Sequence, residues 1–138
     1  MVLRKRPAFR EAFAGFDPQR VAAFDDADVE RLLADPGIVR NRQKIVATVE
    51  NARAVLDLDT DLDALLWSYA PEPRPHRPRA LADVPATTET STAMAKALRA
   101  RGFRFVGPTT CYAMMQATGM VDDHLVGCCA PATVRPAG

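Results

Sequence analysis

Apolar residues along this chain return every three or four positions, the period of a helix buried on one face. Ile45, Val49, Ala52 and Leu56 define such a face and predict a helix over Asn41–Leu56. Val29, Leu32 and Leu33 define another, between a cap at Asp25 or Asp26 and a stop at Pro36–Gly37. Upstream, a short helix over Pro7–Ala14 stops at Gly15. A second covers Pro18–Phe24, with Asp17 as cap and Pro18 in the first turn. Thr60 is placed to cap a helix over Asp61–Tyr69 that carries Leu62, Leu65, Leu66 and Trp67, whose spacing reads as core. Ser91 or Thr90 would cap a helix over Thr92–Arg101, which Gly102 stops, and Pro108 opens a last helix to Thr118, closed by Gly119. No alternating strand of useful length appears. The expected fold class is all-α: one helical domain over residues 1–130 and a loose tail over 131–138.

The periodicity breaks at Pro71–Arg79, where four prolines in nine residues exclude a helix and predict an extended surface connector. Composition adds bounds. The 138 residues carry a formal net charge of +1, so affinity for nucleic acid has to come from local clusters. Three such clusters stand out: Arg4, Lys5, Arg6 and Arg10; Arg40, Arg42 and Lys44; and Arg99, Arg101 and Arg104. Each taken alone is an ordinary solvated face. The chain has neither a membrane-length apolar run nor a signal-peptide core behind its basic N-terminus, and a cytoplasmic location is expected. The three cysteines, Cys111, Cys128 and Cys129, are odd in number and two are adjacent, unlike a secreted disulfide framework. Cys111 reads as a small buried hydrophobe inside a helix.

Two local patterns carry chemistry. The first is Phe105–Thr110 between two helices. Gly107 is expected to take positive φ and allow close approach of another backbone. Phe105 and Val106 are expected to plug the hairpin between the helices. The free amides and hydroxyls of Thr109 and Thr110 then make an anion site at a helix N-terminus. With Arg104 beside it, Gly107, Thr109 and Thr110 have the layout of a helix-hairpin-helix grip on a DNA backbone; an ordinary interhelical turn is the alternative. The second pattern is His124 and Cys128, four residues apart, with imidazole and thiolate chemistry suited to zinc. A structural zinc site needs four ligands. His76, Cys111 and Cys129 are poorly placed to complete it, so these residues alone are expected to hold zinc weakly. Asp122 or Asp123 would orient the histidine or cap a turn.

The run from Gly102 to Gly107, with Tyr112, Met115, Gln116, Ala117 and Val121–Cys128, resembles the C-terminal signature of the bacterial DNA-3-methyladenine glycosylase I family. So do Leu3–Arg6 with Phe9, Arg10 and Phe13; Phe16–Ala22; Asp28–Leu32; Gly37–Ile45; Asn51–Ala54; and Trp67–Ser68 before a variable connector. The resemblance implies a helix-hairpin-helix DNA glycosylase fold. It implies base-excision repair by monofunctional hydrolysis of the N-glycosidic bond of 3-methyladenine, with alkylated double-stranded DNA as partner and a monomeric protein. It places His124 and Cys128 as half of the family's zinc site. The family's other Cys and His ligands, its base-recognising Glu and its stacking aromatics precede the matched region, so the chain resembles an N-terminally truncated member. The 138 residues alone are therefore expected to release no 3-methyladenine; a DNA-binding remnant without catalysis, or a poorly folded fragment, is the alternative. Thr109 stands where lyase-competent relatives carry Lys, which speaks against a Schiff base. Asp122 and Asp123 lie roughly where other glycosylases of this superfamily keep a catalytic Asp.

Overall fold

The computed structural model describes residues 2–131, and all of their regular elements are helical. The tail expected over 131–138 falls, from residue 132 onward, outside the described residues. The chain divides into two compact units, one built from residues up to Asp59 with Ala100–Phe105, the other from Thr60–Arg99 with Val106 onward.

In the first unit, α1 (Arg6–Ala12), α2 (Pro18–Ala22) and α3 (Asp26–Ala34) accompany the long α4 (Arg42–Leu56), on which α2 and α3 pack. Side chains at the helix starts explain why they begin where they do. The Asp17 carboxylate accepts from the amides of Gln19 and Arg20, with Pro18 already set for the first turn. Asp25 and Asp28 cap one another's backbone amides reciprocally, and Asn41 accepts from Lys44 N–H at 3.0 Å. The buried faces of these helices converge on Phe13, Val21, Val29, Leu32, Ile38, Ile45 and Val49. Helix α1 ends two residues earlier than predicted. Ala14, Gly15 and Phe16 all take positive φ, a tight turn that brings the Phe16 ring onto Phe13 with centroids 5.6 Å apart.

The second unit holds α5 (Leu62–Trp67), α6 (Glu89–Ala100, whose last residue belongs to the first unit) and α7 (Pro108–Thr118). Its buried side chains include Leu65, Met94, Ala95, Leu98, Cys111, Tyr112 and Met115. Two predicted caps move. Asp61, not Thr60, caps α5 by accepting from Asp63 and Ala64, because a carboxylate competes better than a hydroxyl for two amides. Helix α6 starts three residues earlier than expected. Thr88 Oγ1 accepts from the Ser91 amide, and Ser91 turns inward, fully buried, to bond Thr88. Helix α7 runs from Pro108 to Thr118 as predicted, and Gly119 ends it in the left-handed conformation. Among the described residues no helix is long and apolar enough to cross a membrane.

Candidate functional site

The hairpin residues are distributed over both units. In the first, Gly102 takes φ 87° and Phe103 is buried. The Asn51 side chain grips the Arg104 peptide at both ends: its Oδ1 accepts from Arg104 N–H at 2.7 Å, and its Nδ2 donates to Arg104 O at 3.1 Å. Arg104 Nε lies 3.2 Å from Glu50 Oε2, leaving the guanidinium largely exposed. The next residue, Phe105, takes φ 57° and is 58% exposed.

Two expectations are corrected here. Positive φ falls on Phe105, whereas Gly107 is extended at φ −114°, ψ 166°. And Phe105 does not plug the hairpin, since it faces solvent while Phe103 is the buried aromatic. A non-glycine residue in the left-handed region costs on the order of 1 kcal/mol or more and persists only where its surroundings fix it; the two-point grip of Asn51 on the preceding peptide does so.

In the second unit, Arg99 Nε donates to Val106 O at 2.8 Å, and Gly107 O receives the Cys111 amide at 2.9 Å. No side chain caps α7, Pro108 has no N–H to satisfy, and Thr109 and Thr110 are exposed in the first turn. Their amides have no partner within the helix, which leaves an electropositive end.

The His/Cys turn lies wholly in the second unit. His124 Nδ1 and Cys128 Sγ stand 3.7 Å apart, although no helix connects them. A tight turn does, with Cys128 N–H donating to Leu125 O at 3.0 Å and Gly127 at φ 85°. A tetrahedral zinc bound to both atoms would separate them by about 3.6 Å, so the pair fits a shared metal. Among the described residues no group of three or more His, Cys, Asp or Glu side chains is placed to hold a metal ion.

Asp122 caps the turn by accepting from His124 N–H at 3.1 Å, and Arg77 Nη2 lies 2.9 Å from its other oxygen. Burial opposes the charge on Asp122, but the His124 amide and the Arg77 guanidinium outweigh it and hold the carboxyl below the usual range.

Asp123 points the other way. Its side chain is 7% exposed and accepts from Tyr112 OH at 2.5 Å and Gln116 Nε2 at 2.9 Å, with Arg74 Nη1 3.0 Å from Oδ1. The Arg74 contact is Coulombic, because Oδ1 receives no well-directed hydrogen bond. Burial first, then the neighbouring carboxylate, pushes the Tyr112 phenol up to about 12. The sign follows: the fold favours the neutral phenol, so its contribution is complete below about pH 10 and is lost as pH rises through the folded value. Alkaline titration of tyrosinate absorbance should show one late-ionising group that disappears in Tyr112→Phe.

Trp67, expected in the core, lies with Tyr112, Met120, Arg74, His76 and Arg77 on the wall of a cavity of about 340 Å³. Cys111 is buried as expected, and burial raises its thiol, leaving it inert. The sequence alone assigns no site role to Asn51, Arg74 or Arg77: Asn51 enters only through the resemblance, and the two arginines only as part of the extended connector.

Comparisons agree on one group of proteins. A family model described as methyladenine glycosylase matches residues 1–131. DNA-3-methyladenine glycosylase 1 of Escherichia coli is 46% identical over 132 residues, covering 93% of this chain and 71% of that protein. DNA-3-methyladenine glycosylase of Haemophilus influenzae is 42% identical over 135 residues, covering 92% and 71%. A crystal structure of 3-methyladenine DNA glycosylase I superposes with a TM-score of 0.88 at 46% identity, over 94% of this chain and 74% of the other. The Staphylococcus aureus enzyme, studied for the structural basis of 3-methyladenine recognition, gives 0.86 at 33% identity over 96% and 72%.

Proposed function

The chain belongs to the methyladenine glycosylase family, and from that premise we propose that it serves base-excision repair by hydrolysing the N-glycosidic bond of 3-methyladenine in alkylated duplex DNA. The observation that carries this reading is the family match, which runs through both units without interruption. A base stacked in a duplex is out of reach, so such an enzyme must bind the backbone and extrude the nucleotide. The exposed N-terminus of α7, with Thr109 and Thr110 behind the extended Gly107, suits a phosphate. In the first unit, taken by itself, Arg104 is held by Asn51 and Glu50 with its guanidinium largely exposed, as a cation for a backbone phosphate would be. Methylation leaves the purine cationic and a good leaving group, so water suffices as nucleophile. No lysine stands at the α7 N-terminus to form a Schiff base, and the expected product is an intact strand bearing an abasic site.

In this reading His124 and Cys128 hold two positions of a structural zinc, which would cross-link their turn to whatever segment supplies the other ligands. The protein purified from its own source is expected to release 3-methyladenine from methylated duplex DNA and leave the strand uncut until alkali is added. Tight binding to methylated DNA with no base released would favour the alternative of a DNA-binding protein without catalysis. Strand scission without alkali would sink the monofunctional mechanism.

A further inference from the structure

The connector Pro71–Arg79 is not a passive spacer. Arg77 reaches 45 residues along the chain to Asp122 Oδ2 through Nε at 3.0 Å. It also donates through Nη1 to Cys128 O at 3.3 Å and through Nη2 to Ala130 O at 3.0 Å. Pro78 O, next to it, accepts the Val126 amide at 2.9 Å. One guanidinium therefore fixes both flanks of the turn that carries His124 and Cys128. On the first flank it holds Asp122, whose other oxygen caps the His124 amide. On the second it holds the carbonyl of Cys128 itself. Arg74 adds a grip on Asp123. The Arg77 side chain is only about one-fifth exposed, at 22%, so water competes weakly for these bonds.

We propose that Arg77 is a positioning residue that presets the His124–Cys128 separation for a metal ion, so that the proline-rich connector sets metal affinity. This rests on the zinc reading above. The logic is that of any ligand pair: a turn already held at the bite of the metal loses less conformational freedom on binding. Three acceptors lying in different directions need the planar fork of arginine, and lysine reaches only one of them.

Cobalt(II) is the probe, because a thiolate–cobalt charge-transfer band reports Cys128 ligation directly and the visible bands report tetrahedral geometry. In the full chain, Arg77→Ala is expected to weaken cobalt affinity about 10–100-fold and to lower the intensity of the tetrahedral bands at saturation, with helical content by circular dichroism unchanged. Arg77→Lys, the milder variant, should fall between Arg77→Ala and the parent. Parent-like affinity and spectrum in both variants would overturn the positioning role and leave the zinc reading intact. A parent chain that shows no thiolate band would overturn the zinc reading itself, and the positioning role with it.

Discussion

Asp123→Ala is expected to destabilise the second unit by about 1–3 kcal/mol, read as a lower urea midpoint at unchanged slope. The size comes from what the substitution leaves behind. The Tyr112 hydroxyl, on a residue 2% exposed, loses its acceptor, Gln116 loses its acceptor, and Arg74 loses its counter-charge. The Arg74 guanidinium keeps only Tyr112 OH, at 3.3 Å. The stranded Tyr112 hydroxyl sets most of the cost, because it is buried, whereas Gln116 and Arg74 are exposed and water can serve them. Asp123→Asn retains an acceptor for Tyr112 but loses the charge that faces the exposed Arg74, so a smaller loss, about 0–1 kcal/mol, is expected. Tyr112→Phe removes one donor and leaves the carboxylate with two partners, so it should cost less than Asp123→Ala. The pair should also be strongly non-additive, because once Asp123 is gone the phenol is a liability and Phe relieves it. Additive losses in the double variant would show that the carboxylate acts elsewhere. The same cluster accounts for Asp123 without a catalytic role, since its bonds are spent inside the unit, beside the turn that bears His124.

Much of this architecture is legible in the sequence because helices advertise themselves locally. The stripe Ile45, Val49, Ala52 fixes α4, and Pro108 with Gly119 bounds α7 to the residue. The displaced caps show the limit. Thr60 against Asp61 is a competition between neighbouring oxygens for the same amides, settled by charge, while Thr88 and the buried Ser91 each accept from the other's amide and so start α6 earlier. The four-residue spacing of His124 and Cys128 suggests that the two side chains meet, and a turn with positive φ at Gly127, not a helix, brings them to 3.7 Å. Strain at Phe105 was misassigned to Gly107 because glycine is where left-handed backbone is cheapest. The residue that fixes the strained position, Asn51, lies 53 positions from Arg104. Arg77 and its partners are separated by 45 to 53 residues. No local pattern encodes a polar bond of that range, so a charged side chain between prolines reads as solvent-facing until the fold is known.

Thr109→Glu is expected to leave the protein as stable as the parent, or more stable by about 0.3–1 kcal/mol, while weakening DNA binding by several kcal/mol, about 100-fold or more. Opposite signs on the two measurements make this a sharper test than truncation. Thr109 is exposed in the first turn of α7, where a carboxylate meets the positive end of the helix and the unused amides. The feature that favours a carboxylate there is the one proposed to favour a DNA phosphate, so the new side chain occupies the site and repels the ligand. Binding should be measured at fixed salt, and the slope of log affinity against log salt should become shallower as a phosphate contact is lost. Base release at subsaturating DNA should fall in parallel. Thr118→Glu is the matched control. It adds the same charge at the opposite end of α7, where Thr118 is also exposed, so it should cost a little stability and leave DNA affinity near that of the parent. If Thr109→Glu and Thr118→Glu weaken binding equally, the effect is net charge alone, and the α7 N-terminus is an ordinary interhelical turn rather than the grip on DNA.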